Sequence, residues 1–308
     1  MEHKIKVGIT QGDINGVGYE VILKTLSDPH IVELCTPVVY GSAKVAAYHR
    51  KALDIPAVNF NIISDASAAD ENKGNLITCV DDDVKVEIGK ATAIGGEAAY
   101  AALERAAADM EAGSIDVLLT APINKHAIQS DKFDFPGHTE YLERRLGNGQ
   151  KALMILLNDT LRVASVSKVS SVVTKETILE KLQIFEQSLR QDFCVVKPRI
   201  AVLALNPHAG DDGLLGTEEI EIIKPAIQEA NAKGMLCFGP YPADGFFGTG
   251  HYRQFDGVLA MYHDQGLAPF KAIAMEDGVN YTAGLPVVRT SPDHGTAYDI
   301  AGQNRADE

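Results

Sequence analysis

Val202-Leu203-Ala204-Leu205-Asn206-Pro207-His208-Ala209-Gly210 and Val258-Leu259-Ala260-Met261-Tyr262-His263-Asp264-Gln265-Gly266 share one pattern: a short apolar run, then a histidine among loop residues. Runs of this length bounded by Pro and Gly read as strands buried on both faces, the kind found in parallel sheets. Open α/β sheets bind ligands just beyond the carboxyl ends of their strands, so the two histidines are expected at a metal or acid/base site.

Working outward, short β-type runs alternate with helical ones. Ile5 to Thr10 precedes a helix over Val17 to Leu26, Val38 to Tyr40 precedes Ala43 to Leu53, and the Ala-rich stretch Gly96 to Ala112 precedes Val117 to Leu119. Further strands are expected over Leu153 to Leu157, Leu161 to Val166, Ile200 to Leu205 and Val258 to Met261, with helices over Thr174 to Gln191 and Thr217 to Ala232. In the last helix Thr217 is the expected cap, with Glu218 and Glu219 complementing the dipole in the first turn. This alternation is that of an α/β protein with a mostly parallel sheet covered by helices. A length of 308 residues suits two domains, and a cleft between them is the expected site.

Composition narrows the function classes. A net charge of -14 lacks the Lys/Arg clustering that nucleic acid requires, so no nucleic-acid partner is expected. No apolar run reaches a membrane span and the start carries no apolar signal segment, so no membrane partner is expected. The four cysteines, Cys35, Cys79, Cys194 and Cys237, are widely spaced and read as plain buried thiols of a cytoplasmic protein.

Several further segments could carry chemistry. Thr10-Gln11-Gly12-Asp13-Ile14-Asn15-Gly16-Val17-Gly18 is a glycine-rich turn between strand and helix, readable as an anion cradle or as a tight structural turn. Thr139, in Pro136-Gly137-His138-Thr139-Glu140, reads equally as a helix cap or as a ligand contact. Asp264 and Asp244 add carboxylates near the two strand-end histidines, although a convincing metal centre needs a third ligand. Lys271, Asn280 and Arg289 follow at nine-residue steps. Arg289 closes the run Leu285 to Val288, and cations there would hold a carboxylate or phosphate. The remaining histidines His3, His30, His49, His126 and His251 are assigned to surface or packing.

Together these segments resemble the 4-hydroxythreonine-4-phosphate dehydrogenase family of vitamin B6 biosynthesis. The resemblance is carried in order by Gly12-Asp13 with Gly16-Val17-Gly18, Ala121-Pro122-Ile123-Asn124-Lys125, Pro136 to Glu140, Leu205 to Gly210, Gly216 to Glu219, Met261 to Gly266 and Arg289 to Thr296. It implies two α/β/α domains of isocitrate/isopropylmalate dehydrogenase-like fold around a central cleft, the mostly parallel sheet having some antiparallel strands. The first domain is expected over 1–125 plus 265–308, and the second, with the metal ligands and dimer contacts, over 126–264. The implied reaction is NAD- or NADP-linked oxidation of 4-phosphooxy-L-threonine, the oxo product losing CO2 to give 3-amino-2-oxopropyl phosphate. The resemblance also implies a divalent metal (Zn, Mg or Co) and a homodimer with its active site near the subunit interface.

Carried over by position, His138, Thr139, Lys271, Asn280 and Arg289 are expected substrate contacts, with His138, Lys271 and Asp264 as the catalytic groups. His208 and His263 are the expected metal ligands, and His294, Gly295, Thr296 and Asp299 the expected cofactor-binding residues. The chain departs from the family at one place. The third metal histidine is expected between Ala164 and Lys168, where Ser165-Val166-Ser167 stands instead. Either a segment is missing from the numbered residues there or it is deleted; the family also continues into a final helix beyond Glu308. Three alternatives stay open: a dehydrogenase of 4-phospho-D-threonate or 4-phospho-D-erythronate, a metal-independent phosphate acyltransferase, and a non-catalytic phosphometabolite-binding protein.

Overall fold

The computed structural model describes residues 4–56, 58–81 and 83–308; His3 lies outside them. The chain runs through β1 (Lys6–Thr10), α1 (Gly18–Ser27), α2 (Ile31–Leu34), β2 (Thr36–Gly41), α3 (Ala43–Leu53), β3 (Asn61–Ile63), β4 (Asn75–Thr78), α4 (Ala93–Glu111), β5 (Val117–Thr120) and α5 (His138–Leu146). It continues with β6 (Leu153–Leu157), β7 (Arg162–Ser167), α6 (Lys175–Gln191), β8 (Arg199–Leu203), α7 (Lys224–Ala232), β9 (Leu236–Tyr241), α8 (Ala243–Gly248), β10 (Gly257–Tyr262), α9 (His263–Ala274), β11 (Val279–Ala283) and β12 (Val288–Pro292).

Two compact units result, Met1–Gly149 with Pro286–Glu308, and Gln150–Leu285. The boundaries therefore differ from those expected at 125/126 and 264/265. Residues 126–149 stay with the first unit because the buried Tyr141 and Leu142 of α5 belong with α4 and the aromatic group Tyr100, Phe133 and Phe135. Residues 265–285 stay with the second because α9 packs on β7 and β10, and β11 pairs with β6.

In the first unit the strands lie in the order β3-β4-β2-β1-β5-β12, and every neighbouring pair is parallel. Helix α4 begins at Thr92, whose hydroxyl accepts from Gly95 N at 3.0 Å. Its buried face is rich in small residues, Gly95, Gly96, Ala98, Ala99, Ala102, Ala106 and Ala107, so its backbone can lie close to the sheet.

In the second unit the order is β11-β6-β7-β10-β8-β9; the first two pairs are antiparallel and the other three parallel. Alternate residues of β8 and β10 serve opposite faces. Ile200, Val202, Leu259 and Met261 join one apolar core with Ile178, Leu182, Phe185 and Leu189 of α6. Ala201, Leu203, Val258 and Ala260 join the other, with Leu267 and Phe270 of α9. Burial on both faces explains why these strands read as unbroken apolar runs.

Three expectations change. Strand β7 runs unbroken through Arg162–Ser167, paired with β6 and β10, so no histidine-bearing segment is interposed between Ala164 and Lys168. The helix expected from Thr217 starts instead with a π-type turn, Glu219–Ile223, before α7, and Thr217 makes no side-chain cap. Pro225 has no N–H with which to continue a regular first turn. Finally, the cysteines are all free, yet only Cys237 is buried and Cys194 is exposed.

Gly12 shows how tightly the first unit is closed around its amino-terminal turn. Its φ is +66°, and an added Cβ would stand 2.4 Å from Pro122 O. Gly12→Ala is therefore expected to lower stability by about 2–4 kcal/mol, read as a lower urea midpoint with unchanged slope. An unchanged midpoint would contradict this packing.

Candidate active site

In the first unit, β1, β5 and β12 are adjacent and parallel, so the loops after them emerge at one end of the sheet. After β1 comes the glycine-rich turn and after β12 the segment containing His294, Gly295, Thr296 and Asp299. They are joined by hydrogen bonds: Val17 N donates to Thr296 O at 3.0 Å, and Tyr298 Oη donates to Asp13 Oδ2 at 2.6 Å. A Cβ on Gly16 would lie 2.6 Å from Thr296 O. The turn is thus a close-approach seat for the second loop. Asp13 Oδ1 accepts from Asn15 N, and burial pushes the Asp13 carboxyl upward. Asn15 ties in the segment before α4 by accepting from Glu87 N and donating to Lys90 O and Thr92 Oγ1. His294 and Gly295 are exposed, and nothing lies within 4 Å of a Cβ added to Gly295. Exposed loop backbone on a fixed seat fits an extended cofactor.

Arg289 is not at a strand end, as the apolar run before it implied, but is the second residue of β12, opposite Leu118 of β5. It is 2 % exposed, and its guanidinium donates to Thr120 Oγ1 from Nη2 at 2.6 Å. Burial lowers its pKa to about 10, so it stays cationic at neutral pH. His138 opens α5, and Thr139 sits inside the first turn. Gly137 occupies the cap position, which removes the capping role considered for Thr139. His138 Nε2 is shielded from solvent and has no hydrogen-bond partner. Desolvation, then the charges of Arg289 and Lys125, hold this imidazole well below the usual histidine range. A neutral imidazole with a shielded, unpartnered nitrogen beside two cations is suited to hydrogen-bond an anion. Lys125 is a site residue that sequence reasoning misses, although it closes the run Ala121 to Lys125 that helps carry the resemblance.

The second unit brings together the ends of β7, β10 and β8. His263 is the first residue of α9, directly after β10, and its Nδ1 lies 2.7 Å from Asp264 Oδ1. Gln265, also missed in the sequence, links the two strand ends: its Oε1 accepts from Met261 N at 2.8 Å and its Nε2 donates to Ala204 O. His208 is exposed and lies five residues past β8, in a turn where His208, Ala209, Gly210, Asp211 and Asp212 all have φ between 45° and 81°. Each non-glycine residue held there costs roughly 1–2 kcal/mol, so the surroundings must impose the turn. Asn280 lies in β11 with a shielded, unpartnered Oδ1, and Lys271 is half-buried in α9.

A catalytic divalent centre takes three protein ligands. Among the described residues no group of three His, Cys, Asp or Glu side chains could hold an ion. The donors present, two imidazoles, fall short of the metal site that the resemblance implied, and no step below passes through a metal.

Comparison with known proteins gives a consistent relationship. Residues 33–308 match the family model described as pyridoxal phosphate biosynthetic protein PdxA. A 4-hydroxythreonine-4-phosphate dehydrogenase of Bacteroides thetaiotaomicron is 64% identical over 313 aligned positions, covering 100% of this chain and 86% of the relative. Because the chain has 308 residues, that relative carries residues with no counterpart here. The crystal structure of a Klebsiella pneumoniae 4-hydroxythreonine-4-phosphate dehydrogenase superposes with TM-score 0.84 at 34% identity, over 99% of this chain and 94% of that one. A phosphotransacetylase from Staphylococcus aureus, 13% identical with TM-score 0.53 over 98% of this chain and 91% of that one, shares the fold alone.

The buried imidazoles give a signed pH dependence. His138 and His49 are both depressed by burial, so between their folded values and about 6.5 the unfolded chain binds more protons than the folded one. Stability should be full above about pH 7 and fall toward pH 5, and His138→Gln should flatten part of that fall in urea midpoints. Equal slopes for both proteins would contradict the buried neutral state.

Proposed function

The chain belongs to the PdxA family of pyridoxal phosphate biosynthetic proteins, its similar curated members being dehydrogenases, and from this we propose that it oxidises 4-phosphooxy-L-threonine with NAD or NADP. The observation that carries the reading is the shielded, unpartnered His138 Nε2 beside the buried Arg289 and Lys125. A phosphate there receives charge from two cations and a hydrogen bond from a neutral imidazole. Thr139 of α5 supplies a hydroxyl next to it. Asn280, whose Oδ1 is shielded and unpartnered, is assigned to a hydrogen-bond donor of the substrate.

The dinucleotide supplies the hydride acceptor. The hydride leaves the carbinol carbon as its C–H bond breaks, the hydroxyl proton passes to a base, and a C=O bond forms. In the resulting 3-oxo acid the bond to the carboxylate then breaks, CO2 leaves, the electron pair passes to the 3-oxo oxygen as an enolate, and a proton delivered to C2 gives the ketone. Asp264 and Lys271 lie two turns apart on α9 and are assigned to the proton transfers; His294, Gly295, Thr296 and Asp299 are assigned to the cofactor. A homodimer is part of the reading, supported by the exposed Leu214 at 78%, with Leu215 and Ile220 nearby in sequence. The four free thiols fit a cytoplasmic setting.

The test is NAD(P)H formation at 340 nm with 4-phosphooxy-L-threonine, and with 4-phospho-D-threonate and 4-phospho-D-erythronate in parallel. Turnover of the first substrate at the highest kcat/KM is expected; preference for either of the others by more than about tenfold would overturn the substrate assignment. Arg289→Lys is expected to raise the KM for the phosphorylated substrate about tenfold or more, since a point charge replaces a bidentate fork. Tyr298→Phe should instead raise the KM for the dinucleotide several-fold, because the seated loop loses its Asp13 hydrogen bond. A shift of the same substrate's KM in both variants would contradict the division of roles.

A further inference from the structure

From sequence Glu219 is expected to be a first-turn acid complementing a helix dipole, but its side chain turns inward and is 1 % exposed. Its Oε1 accepts from Leu205 N and from Asn206 N, both at 2.8 Å. Its Oε2 accepts from Asn206 Nδ2 at 3.0 Å, and the same amide donates to Glu218 Oε2 at 2.6 Å. The carboxylate therefore grips the two residues that join β8 to Pro207 and His208.

Two glycines make the grip possible. A Cβ on Gly210 would stand 2.6 Å from Glu219 Oε2, and a Cβ on Gly216 would stand 2.3 Å from Asn206 Nδ2. The left-handed turn closes on itself through Leu214 N to Asp211 O and Leu215 N to Gly210 O. Glu219 itself is the first residue of the π-type turn, a local irregularity that often marks a functional position. A strained turn bearing an exposed histidine thus meets an irregular helix start bearing a buried carboxylate.

We propose that Glu219 is a positioning residue, whose buried carboxylate holds the left-handed turn of residues 208–212 and so sets where the His208 imidazole stands. The clamp stands on this geometry alone, and its effect on turnover rests on the expectation that His208, just past the end of β8, faces the substrate. Its physical basis is that a buried carboxylate accepting three N–H groups is a strong, directional anchor. A neutral amide cannot replace it: in Glu219→Gln one orientation sets an NH2 against Asn206 Nδ2, and the other sets it against the two backbone N–H groups.

Two measurements on the full-length protein decide the point. Hydrogen–deuterium exchange should rise by at least about fivefold in the 204–214 segment of Glu219→Gln, with β8 and α7 unchanged. In the assay above, the same variant should lose about tenfold in kcat, with the KM for the dinucleotide unchanged. Adding Asp212→Gly, which lets that position adopt positive φ without strain, should restore much of the lost kcat in the Gln background. Unchanged exchange, exchange raised equally throughout the unit, or no recovery on adding glycine would each overturn the proposal. An inactive wild-type chain would sink the dehydrogenase reading and leave the exchange result to decide the clamp.

Discussion

A guanidinium buried to 2 % exposure in β12 is the constraint on which the first unit turns. Removing that charge from water is costly unless its surroundings answer it, and Thr120 Oγ1 at the end of β5 supplies part of the answer. The arrangement exists only because a strand from the far end of the chain lies parallel to β5, with Arg289 opposite Leu118. Burial first, and then the field of Arg289 and that of Lys125, hold the His138 imidazole well below the usual histidine range. One pairing of distant strands thereby fixes a cation, an imidazole and the root of the loop from His294 to Asp299.

The same logic of close approach joins the amino-terminal turn to that loop. Gly12, Gly16 and Gly18 all stand where a Cβ would overlap backbone, at 2.4, 2.6 and 2.6 Å from Pro122 O, Thr296 O and Gln11 O. Small residues here serve contact between segments, and Asp13 and Asn15 convert that contact into hydrogen bonds. The second unit uses a carboxylate for the comparable task, with Glu219 fastening the turn after β8 and Gln265 bridging β8 to β10.

Much of this was legible in the residues. The strands buried on both faces announced themselves as apolar runs, and β6, α3 and α6 fall within a residue of where periodicity put them, α6 with its Thr174 cap. Other elements were not legible. Strands β3 and β4 are short and carry Asn61 and Asn75, and β9 contains Gly239 and Pro240, so none shows a β pattern. Arg289 was placed at the end of a strand because Leu285 to Val288 is the apolar run, whereas β12 starts only at Val288. Local sequence could not show that Glu219 points inward, since its partners lie thirteen and fourteen residues earlier. The run Gly210-Asp211-Asp212-Gly213 was the one available hint of a left-handed turn. The missing third histidine was visible in the sequence, and the continuous β7 leaves it absent.

His138, Arg289 and Lys125 are proposed to receive the substrate's phosphate together. The most direct measurement is a crystal structure of the protein with 4-phosphooxy-L-threonine and oxidised dinucleotide. A phosphate oxygen is expected within hydrogen-bond distance of His138 Nε2 and of the Arg289 guanidinium, with the dinucleotide against His294 to Asp299. A phosphate bound elsewhere, with His138 Nε2 still unpartnered, would contradict it.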